Sequence, residues 1–126
     1  MIHVDTNFLI ASVDPSHKHS NLWRPLIASG DTIGTSAVAW TEFRSYSISY
    51  DQLRALDRLI LGGILPFERA QADLAGELFQ KTNSRRKNRL DSMIAATAIL
   101  AEAALATVNQ ADFKSFTPFG LKLHRL

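Results

Sequence analysis

The sequence predicts a single α/β domain whose central sheet has about five short parallel strands, with helices on both faces. The chain has 126 residues, the size of one compact domain. Its 46% hydrophobic and 21% charged residues are typical of a globular protein and exclude a disordered or fibrous chain. Short β-like runs alternate with helical stretches, and this alternation favours parallel strands connected by helices.

The predicted elements follow the hydrophobic pattern and the capping residues along the chain. The expected strands are Ile2–Val4, Thr32–Thr35, Ile64–Phe67, Leu105–Val108 and Leu121–His124. The expected helices are Asn7–Val13, Ser20–Ser29, one capped by Ser36 that passes Tyr46, one capped by Asp51 that ends at Gly62 and Gly63, Glu68–Thr82, and Asp91–Ala104. Gly30 is expected to end the second helix.

The composition narrows the chemistry that this protein can perform. It contains no Cys, which excludes disulfides, thiolate nucleophiles and Cys-ligated zinc. The residues after Met1 show no basic-then-apolar leader, so we expect a cytoplasmic protein. The most apolar stretch, Met93–Val108, contains Glu102 and is shorter than the roughly 20 residues of a membrane span. We expect it to form a buried helix and a strand, with no membrane association.

A run of basic residues accounts for the net charge of +2: Lys81, Arg85, Arg86, Lys87 and Arg89 occur together with no acid among them. Outside this run acidic residues outnumber basic ones, so the positive charge is local. Two interpretations remain open. The run is either a solvated helix end and loop, as charge runs usually are, or a patch that contacts phosphate groups of a nucleic acid.

Four carboxylates are expected at one edge of the sheet. Asp5 follows the first strand, Glu42 lies early in the helix after the second, Asp91 begins the helix before the fourth, and Asp112 comes just after that strand. In a parallel sheet each strand ends, and the next helix begins, at the same edge, where ligands bind. Each acid alone has a simpler explanation as a helix cap or turn residue, although Glu42 is harder to explain as a cap.

Convergence of these acids favours a metal site. Carboxylates a few Å apart repel one another by several kcal/mol unless a cation lies among them. Without Cys, hard oxygen ligands of this kind suit Mg²⁺ or Mn²⁺, which can activate water for hydrolysis of a phosphodiester. We find no dinucleotide, Walker, serine-hydrolase or zinc-protease motif. The remaining aromatic and imidazole groups are expected in the core, in an interface or in an exposed loop: Trp23, Trp40, Phe43, Tyr46, His17 and His19.

The sequence resembles the PIN-domain family nearly from end to end, and within it the VapC toxins of bacterial toxin–antitoxin pairs. Four blocks carry the resemblance, of which the last two are the more specific. They are Val4-Asp5-Thr6-Asn7, Ser36 to Phe43 ending in Thr41-Glu42-Phe43, Arg89-Leu90-Asp91-Ser92-Met93-Ile94-Ala95-Ala96-Thr97-Ala98, and Ala106-Thr107-Val108-Asn109-Gln110-Ala111-Asp112-Phe113.

The resemblance implies one PIN domain over residues 1–126 that acts as a Mg²⁺-dependent endoribonuclease, with Asp5, Glu42, Asp91 and Asp112 as its catalytic, metal-binding acids. It also implies polar support from Thr6, Asn7 and Thr107, a cognate antitoxin as partner and a homodimer. The helices around residues 40–61 carry more apolar side chains than one small sheet can cover, which agrees with such a partner. Val108 replaces an Arg that is usual in the family, which puts any role of that Arg in doubt.

Other functions remain open from the sequence. A PIN-like module that binds RNA or protein without cutting is the main alternative, although all four acids are retained. An aspartyl phosphatase would need an Asp where Asn7 stands, and a receiver domain would need paired acids at the first strand. DNA is not excluded as a substrate, because phosphate chemistry alone does not distinguish the two sugars.

Overall fold

A computed structural model describes residues 1–82 and 89–126 of the chain. Its centre is a five-stranded parallel sheet in the order β3-β2-β1-β4-β5. The strands are β1 (Ile2–Val4), β2 (Ile33–Ser36), β3 (Gly63–Leu65), β4 (Ala104–Ala106) and β5 (Lys122–Leu123). All five expected strands are present, each within two residues of its predicted ends, and the predicted α/β fold is confirmed.

Helices fill the connections between the strands. The α-helices are α1 (Thr6–Val13), α2 (Trp23–Ala28), α3 (Ala37–Arg44), α4 (Tyr50–Asp57), α5 (Arg69–Lys81), α6 (Arg89–Leu100) and α7 (Gln110–Phe113). Short 3₁₀ helices occupy Ser20–Leu22 and Lys114–Phe119. No helix in the described parts of the chain is long and apolar enough to cross a membrane.

Both faces of the sheet are buried. Successive side chains of a strand point to opposite faces, yet Ile2, His3 and Val4 of β1 are all buried. Helices therefore cover the sheet on two sides, as expected for parallel strands. The largest side chains that are fully excluded from solvent come from α1, α3 and the C-terminal 3₁₀ helix, namely Phe8, Phe43 and Phe116.

The register of the strands determines which residues meet at the carboxyl edge. Val4 of β1 pairs with Thr35 of β2 and with Ala106 of β4. Asp5 directly follows β1, and Thr107 directly follows β4. The two residues therefore lie side by side at the carboxyl edge of the sheet. Ser36 ends β2 and caps α3, since its hydroxyl oxygen accepts a hydrogen bond from the Ala39 amide at 3.0 Å. This edge is where the polar residues collect.

The helix predicted to start at Asp51 instead begins after Ser49. The Ser49 hydroxyl accepts a hydrogen bond from the Gln52 amide at 3.1 Å, and the Gln52 side chain accepts one from the Ser49 amide at 2.9 Å. This reciprocal pair satisfies two helix-end donors, so it competes well with a single carboxylate cap. Asp51 lies in the first turn.

The same helix was predicted to reach Gly62 and Gly63, but α4 ends at Asp57. The two glycines lead into β3, where the Gly62 amide donates to the Ile33 carbonyl at 2.8 Å. A Cβ atom on Gly62 would lie 2.9 Å from that carbonyl oxygen, which is too close for any other residue. The glycines therefore permit a close approach of two strands and do not end a helix.

Other helix boundaries also differ from the prediction, and α3 ends at Arg44, before Tyr46. Helix α6 begins at Arg89, so Asp91 lies within its first turn, and it ends at Leu100, before the predicted end at Ala104. The segment after β4, for which no helix was predicted, forms α7. Asp112 is therefore an exposed residue on a short helix.

Candidate active site

Asp5 occupies the centre of the carboxyl edge, directly after β1. It caps α1, with its Oδ1 accepting a hydrogen bond from the Phe8 amide at 3.3 Å. Its Oδ2 accepts a bond of 2.5 Å from the Thr107 hydroxyl. Only 4% of Asp5 is exposed, and this burial raises its pKa above the usual value despite those hydrogen bonds. A buried acid with two fixed oxygens is well suited to hold a cation.

Glu42 reaches the same edge from α3. The Thr6 hydroxyl, at the start of α1, donates a hydrogen bond of 2.9 Å to its Oε1. Glu42 is half-buried, and its charge contributes to the raised pKa of Asp5. The two acids are therefore close enough to repel one another, and each is oriented by a threonine hydroxyl.

Asp91 is the third acid, and it is half-buried in the first turn of α6. Burial, followed by the charges of Asp112, Glu42 and Asp5, raises the pKa of Asp91 to about 6. Among the described residues its carboxylate makes no hydrogen bond to protein. The ionised carboxylate of Asp91 is therefore repelled by three nearby acids, and its oxygens remain available to a ligand.

These acids meet in a small polar cavity of about 170 Å³, which holds a few water molecules or a phosphate group and is too small for a whole nucleotide. Larger cavities elsewhere on the surface do not join these acids. The cavity is lined by Asp5, Thr6, Asn7, Ile10, Glu42, Tyr46, Asp91, Ile94, Asn109 and Phe113.

Only some of the predicted site residues line this cavity. Three of the four acids line the cavity, as do Thr6 and Asn7. Asp112 is exposed and does not line it, although its charge acts on Asp91. Thr107 is fully buried behind the cavity, where its hydroxyl also accepts a hydrogen bond of 3.0 Å from the Asn109 amide. It acts on the site through Asp5.

Replacing Thr107 by Val should lower the free energy of unfolding by about 1.5 kcal/mol, because the buried Asp5 carboxyl loses a short hydrogen bond to a group that bears charge. Urea unfolding at pH 7 measures this loss. Thr117→Val is the matched control, since the Thr117 hydroxyl makes an exposed bond of 2.8 Å to the Lys114 carbonyl. Equal effects of the two substitutions would show that the bond to Asp5 has no special weight.

The fit to a metal ion rests on the chemistry of these donors. In residues 1–82 and 89–126 no group of three or more His, Asp or Glu side chains is arranged to hold an ion as they stand. Mg²⁺ does not need such a cage, since it is usually bound by one or two carboxylates and keeps several waters. The oxygen donors, the repulsion at Asp91 and the polar cavity therefore fit a hard divalent cation.

Most of the predicted RNA-binding run lies outside the described residues, namely Arg85, Arg86 and Lys87. Arg89, the last member of the run that was named as a contact, is exposed at the start of α6. Its guanidinium lies 5.0 Å from the centre of the Phe79 ring, a cation–π contact that joins α6 to α5.

Two of the polar residues that line the cavity were not assigned to the site from the sequence. Tyr46 was grouped with core or interface aromatics, and Asn109 was named only within the last block that resembles the PIN-domain family. A signal for Tyr46 existed, because it follows Glu42 by four residues and such pairs share one side of a helix. Of the other aromatics in that group, Trp23 and Phe43 are buried in the core.

Solved structures with the same fold include three complexes whose chains align over nearly their full length. FitAcB from Neisseria gonorrhoeae is 22% identical, with a TM-score of 0.71 over 99% of this chain and 97% of that one. VapBC2 from Rickettsia felis, bound to a DNA fragment from its promoter, is 23% identical, with a TM-score of 0.71 over 100% and 99%. VapBC-1 from nontypeable Haemophilus influenzae is 20% identical, with a TM-score of 0.71 over 98% and 97%.

At these identities the likeness shows the fold alone. A comparison with curated proteins found no match. The family model described as PIN domain, however, matches residues 2–117, which include every acid of the cavity. The chain therefore belongs to the PIN domain family.

Proposed function

We propose that this protein is a metal-dependent endoribonuclease that hydrolyses RNA phosphodiester bonds, and that it is the VapC-type toxin of a type II toxin–antitoxin pair. One observation carries the proposal. Asp5, Glu42 and Asp91 converge on one small polar cavity, where burial, followed by the charges of Asp112, Glu42 and Asp5, raises the pKa of Asp91 to about 6. Such a cluster is costly unless a cation binds there.

Mg²⁺ is the proposed cofactor, and Mn²⁺ is the alternative that the same oxygen ligands accept. Asp5, Glu42 and Asp91 would hold the ion. Asp112 would affect it indirectly, because its charge raises the pKa of Asp91. When bound, the ion supplies an acidified water and neutralises charge on the phosphate.

The protein's own contribution is to position these oxygens before substrate arrives. The Thr107 and Thr6 hydroxyls orient Asp5 and Glu42, at 2.5 Å and 2.9 Å. Asn7 lines the same cavity, and its side-chain amide would donate to a phosphate oxygen. Asp91, at the start of α6, can exchange a proton near neutral pH because its pKa is about 6. Binding of the substrate would therefore displace water from the cavity without requiring these carboxylates to reorient.

The substrate and partners follow from the same proposal. The basic run that includes Arg85, Arg86, Lys87 and Arg89 would contact RNA phosphates. The neighbours VapBC2 and VapBC-1 support an antitoxin as partner. Several large apolar side chains are exposed, among them Tyr50 and Leu61 at 71% and 80%, and a second copy of the chain or an antitoxin would cover them. The site of action would be the cytoplasm.

A cleavage assay and thermal melts on the purified chain test the proposal. Mg²⁺ or Mn²⁺ should raise the melting temperature, because an ion that binds only the folded site stabilises it by mass action. Cleavage of a fluorescent RNA should require one of these ions and should stop in EDTA. Both effects should weaken as pH falls below about 6, because protons then compete for Asp91.

A control and a contrary outcome complete this test. Ca²⁺ should shift the melt and support less cleavage, because its larger coordination shell holds water and phosphate less strictly. Cleavage that persists in EDTA would contradict the metal mechanism. RNA binding without cleavage in any divalent ion would favour the alternative function, a non-catalytic binding module.

A further inference from the structure

An exposed aromatic ring stands at the rim of the acidic cavity. Tyr46 lines the same cavity as Asp5, Glu42 and Asp91, yet 57% of it is accessible to solvent. Its ring therefore presents a flat apolar surface beside the cavity that the carboxylates line. No other aromatic residue that lines this cavity is exposed, since Phe113 is buried.

The backbone holds Tyr46 in a defined position. Helix α3 ends at Arg44, but the turn continues, because the Tyr46 amide donates to the Phe43 carbonyl at 3.1 Å. The Ser45 hydroxyl also donates to the Glu42 carbonyl at 2.5 Å. Tyr46 follows Glu42 by four residues, and both side chains line the cavity. The backbone at Tyr46 is therefore held beside the acids by this hydrogen-bonded turn.

Packing of the fold does not account for this ring. The neighbouring aromatics of α3 pack together, with the Trp40 and Phe43 ring centres 5.2 Å apart, and Phe43 is fully buried. Within the described parts of the chain, the Tyr46 side chain has neither a hydrogen bond nor a ring partner. A Tyr in a core normally satisfies its hydroxyl. This one is left available to a ligand.

We infer that Tyr46 stacks on an unpaired base of the RNA next to the phosphate in the cavity. This inference rests on the proposed ribonuclease function. The acids repel the phosphate backbone except where a cation lies, whereas the face of a base is uncharged and accepts an aromatic ring. The cavity is too small for a nucleotide, so the base must lie outside it, at the rim where Tyr46 stands.

Stacking of this kind suits single strands and tolerates any base, because each base has a π-face. In a duplex the bases are already stacked and paired, so Tyr46 would have no free face to meet. The inference therefore assigns Tyr46 as the residue that distinguishes an unpaired base from a paired one, and it specifies no sequence.

RNA binding tests the inference without relying on cleavage. We would measure the affinity of a short unpaired RNA by fluorescence anisotropy in Mg²⁺, with Asp91→Asn as the background that leaves the RNA intact. Tyr46→Ala and Tyr46→Leu should each weaken binding about five- to tenfold, since both remove the π-face and Leu retains apolar bulk. Tyr46→Phe should bind as the background does. Tyr50→Ala is the control, an exposed Tyr that does not line the cavity.

An RNA with one base removed gives the decisive comparison. When the missing base is the one that meets Tyr46, the background should bind this RNA more weakly, and Tyr46→Ala should cause no further loss. Equal affinity of Tyr46→Ala and the background for intact RNA would overturn the inference, as would equal losses on intact and abasic RNA. If the wild-type protein binds RNA with this pattern but never cuts it, the proposed function fails while the stacking role stands.

Circular dichroism separates a folding defect from a lost contact. A Tyr46→Ala protein that fails to fold would leave Tyr46→Leu and Tyr46→Phe to decide: weaker RNA binding by Leu with normal binding by Phe supports stacking, and equal binding by the two contradicts it. If Tyr46 instead serves a protein partner, all three variants will bind RNA as the background does.

Discussion

Replacing Asp91 by Asn should lower the rate of RNA cleavage by about 100-fold or more. Substitutions behind a metal ligand already cost about 10- to 100-fold, and Asp91 is proposed to be a ligand itself. Asn keeps the shape of the side chain but cannot supply the negative charge that holds a cation. The loss should appear in single-turnover cleavage at saturating Mg²⁺, measured at pH 7.5 where the wild-type carboxyl is ionised.

The fold should survive this substitution. At pH 7 the wild-type Asp91 is ionised although burial and three nearby acids disfavour the charge, so the neutral amide should make the metal-free protein more stable. Loss of activity together with a higher melting temperature in EDTA is therefore expected. Ordinary unfolding cannot produce that combination.

Asp73→Asn is the matched control. Asp73 is exposed on α5 and does not line the cavity. Its only ion pair in the described residues is with Arg69 at 3.5 Å, so Asp73→Asn removes the same charge outside the site. Its cleavage rate should equal that of wild type. If Asp91→Asn cuts RNA as fast as Asp73→Asn, Asp91 is not a metal ligand, and the proposed site is wrong.

The sheet could be predicted from sequence because its signals are local. Each strand is a short apolar run bounded by polar or Gly residues, and a parallel sheet brings the ends of such runs to one edge. That rule alone was enough to expect Asp5 near Glu42, and the structure brings them together. The cap at Ser49 was missed because an acid two residues later was also a plausible cap, and the choice depends on Gln52.

Other features could not be predicted because they depend on the direction in which a side chain points. Tyr46 and Phe43 have similar sequence surroundings, but one faces solvent and the other the core. Asp112 does not line the cavity because it lies exposed on the short helix α7, which was not predicted from the sequence. Spacing identifies a helix face only when the limits of the helix are known.

His3 is a further residue whose surroundings are not visible from sequence. It sits in Ile2-His3-Val4, an alternation that usually marks a strand with one face in water. In the structure His3 is 1% exposed, and neither ring nitrogen has a hydrogen-bond partner among the described residues. Burial, with a contribution from the charged N-terminus, lowers the pKa of His3 to about 4.

This buried imidazole should make the protein sensitive to acid. In the unfolded chain His3 takes up a proton near pH 6.5, whereas in the folded protein it does so only near pH 4. Between these values the unfolded state binds more protons, so the free energy of unfolding decreases as pH falls through this window. The full loss, reached below about pH 4, is about 3 kcal/mol, and above about pH 6.5 there is none.

The acids of the cavity act in the opposite direction in metal-free protein. The pKa of Asp91 rises from 3.8 to about 6 on folding, so the folded state binds the extra proton between these values. Protonation of Asp91 therefore increases the free energy of unfolding as pH falls. Asp5, whose pKa is also raised, increases it further. The wild-type protein should consequently show a shallow pH dependence that conceals the effect of His3.

Substitution of His3 by Leu should reveal the concealed effect. Its free energy of unfolding, minus that of wild type, should increase by about 3 kcal/mol between pH 7 and pH 4, because all other titrating groups cancel in the difference. Urea unfolding in EDTA at pH 7, 6, 5 and 4 measures this difference. His3→Gln should show the same increase, since Gln also lacks a titrating ring but keeps a polar side chain. A difference that stays constant with pH for both variants would mean that His3 is protonated as easily in the folded protein as in the unfolded chain.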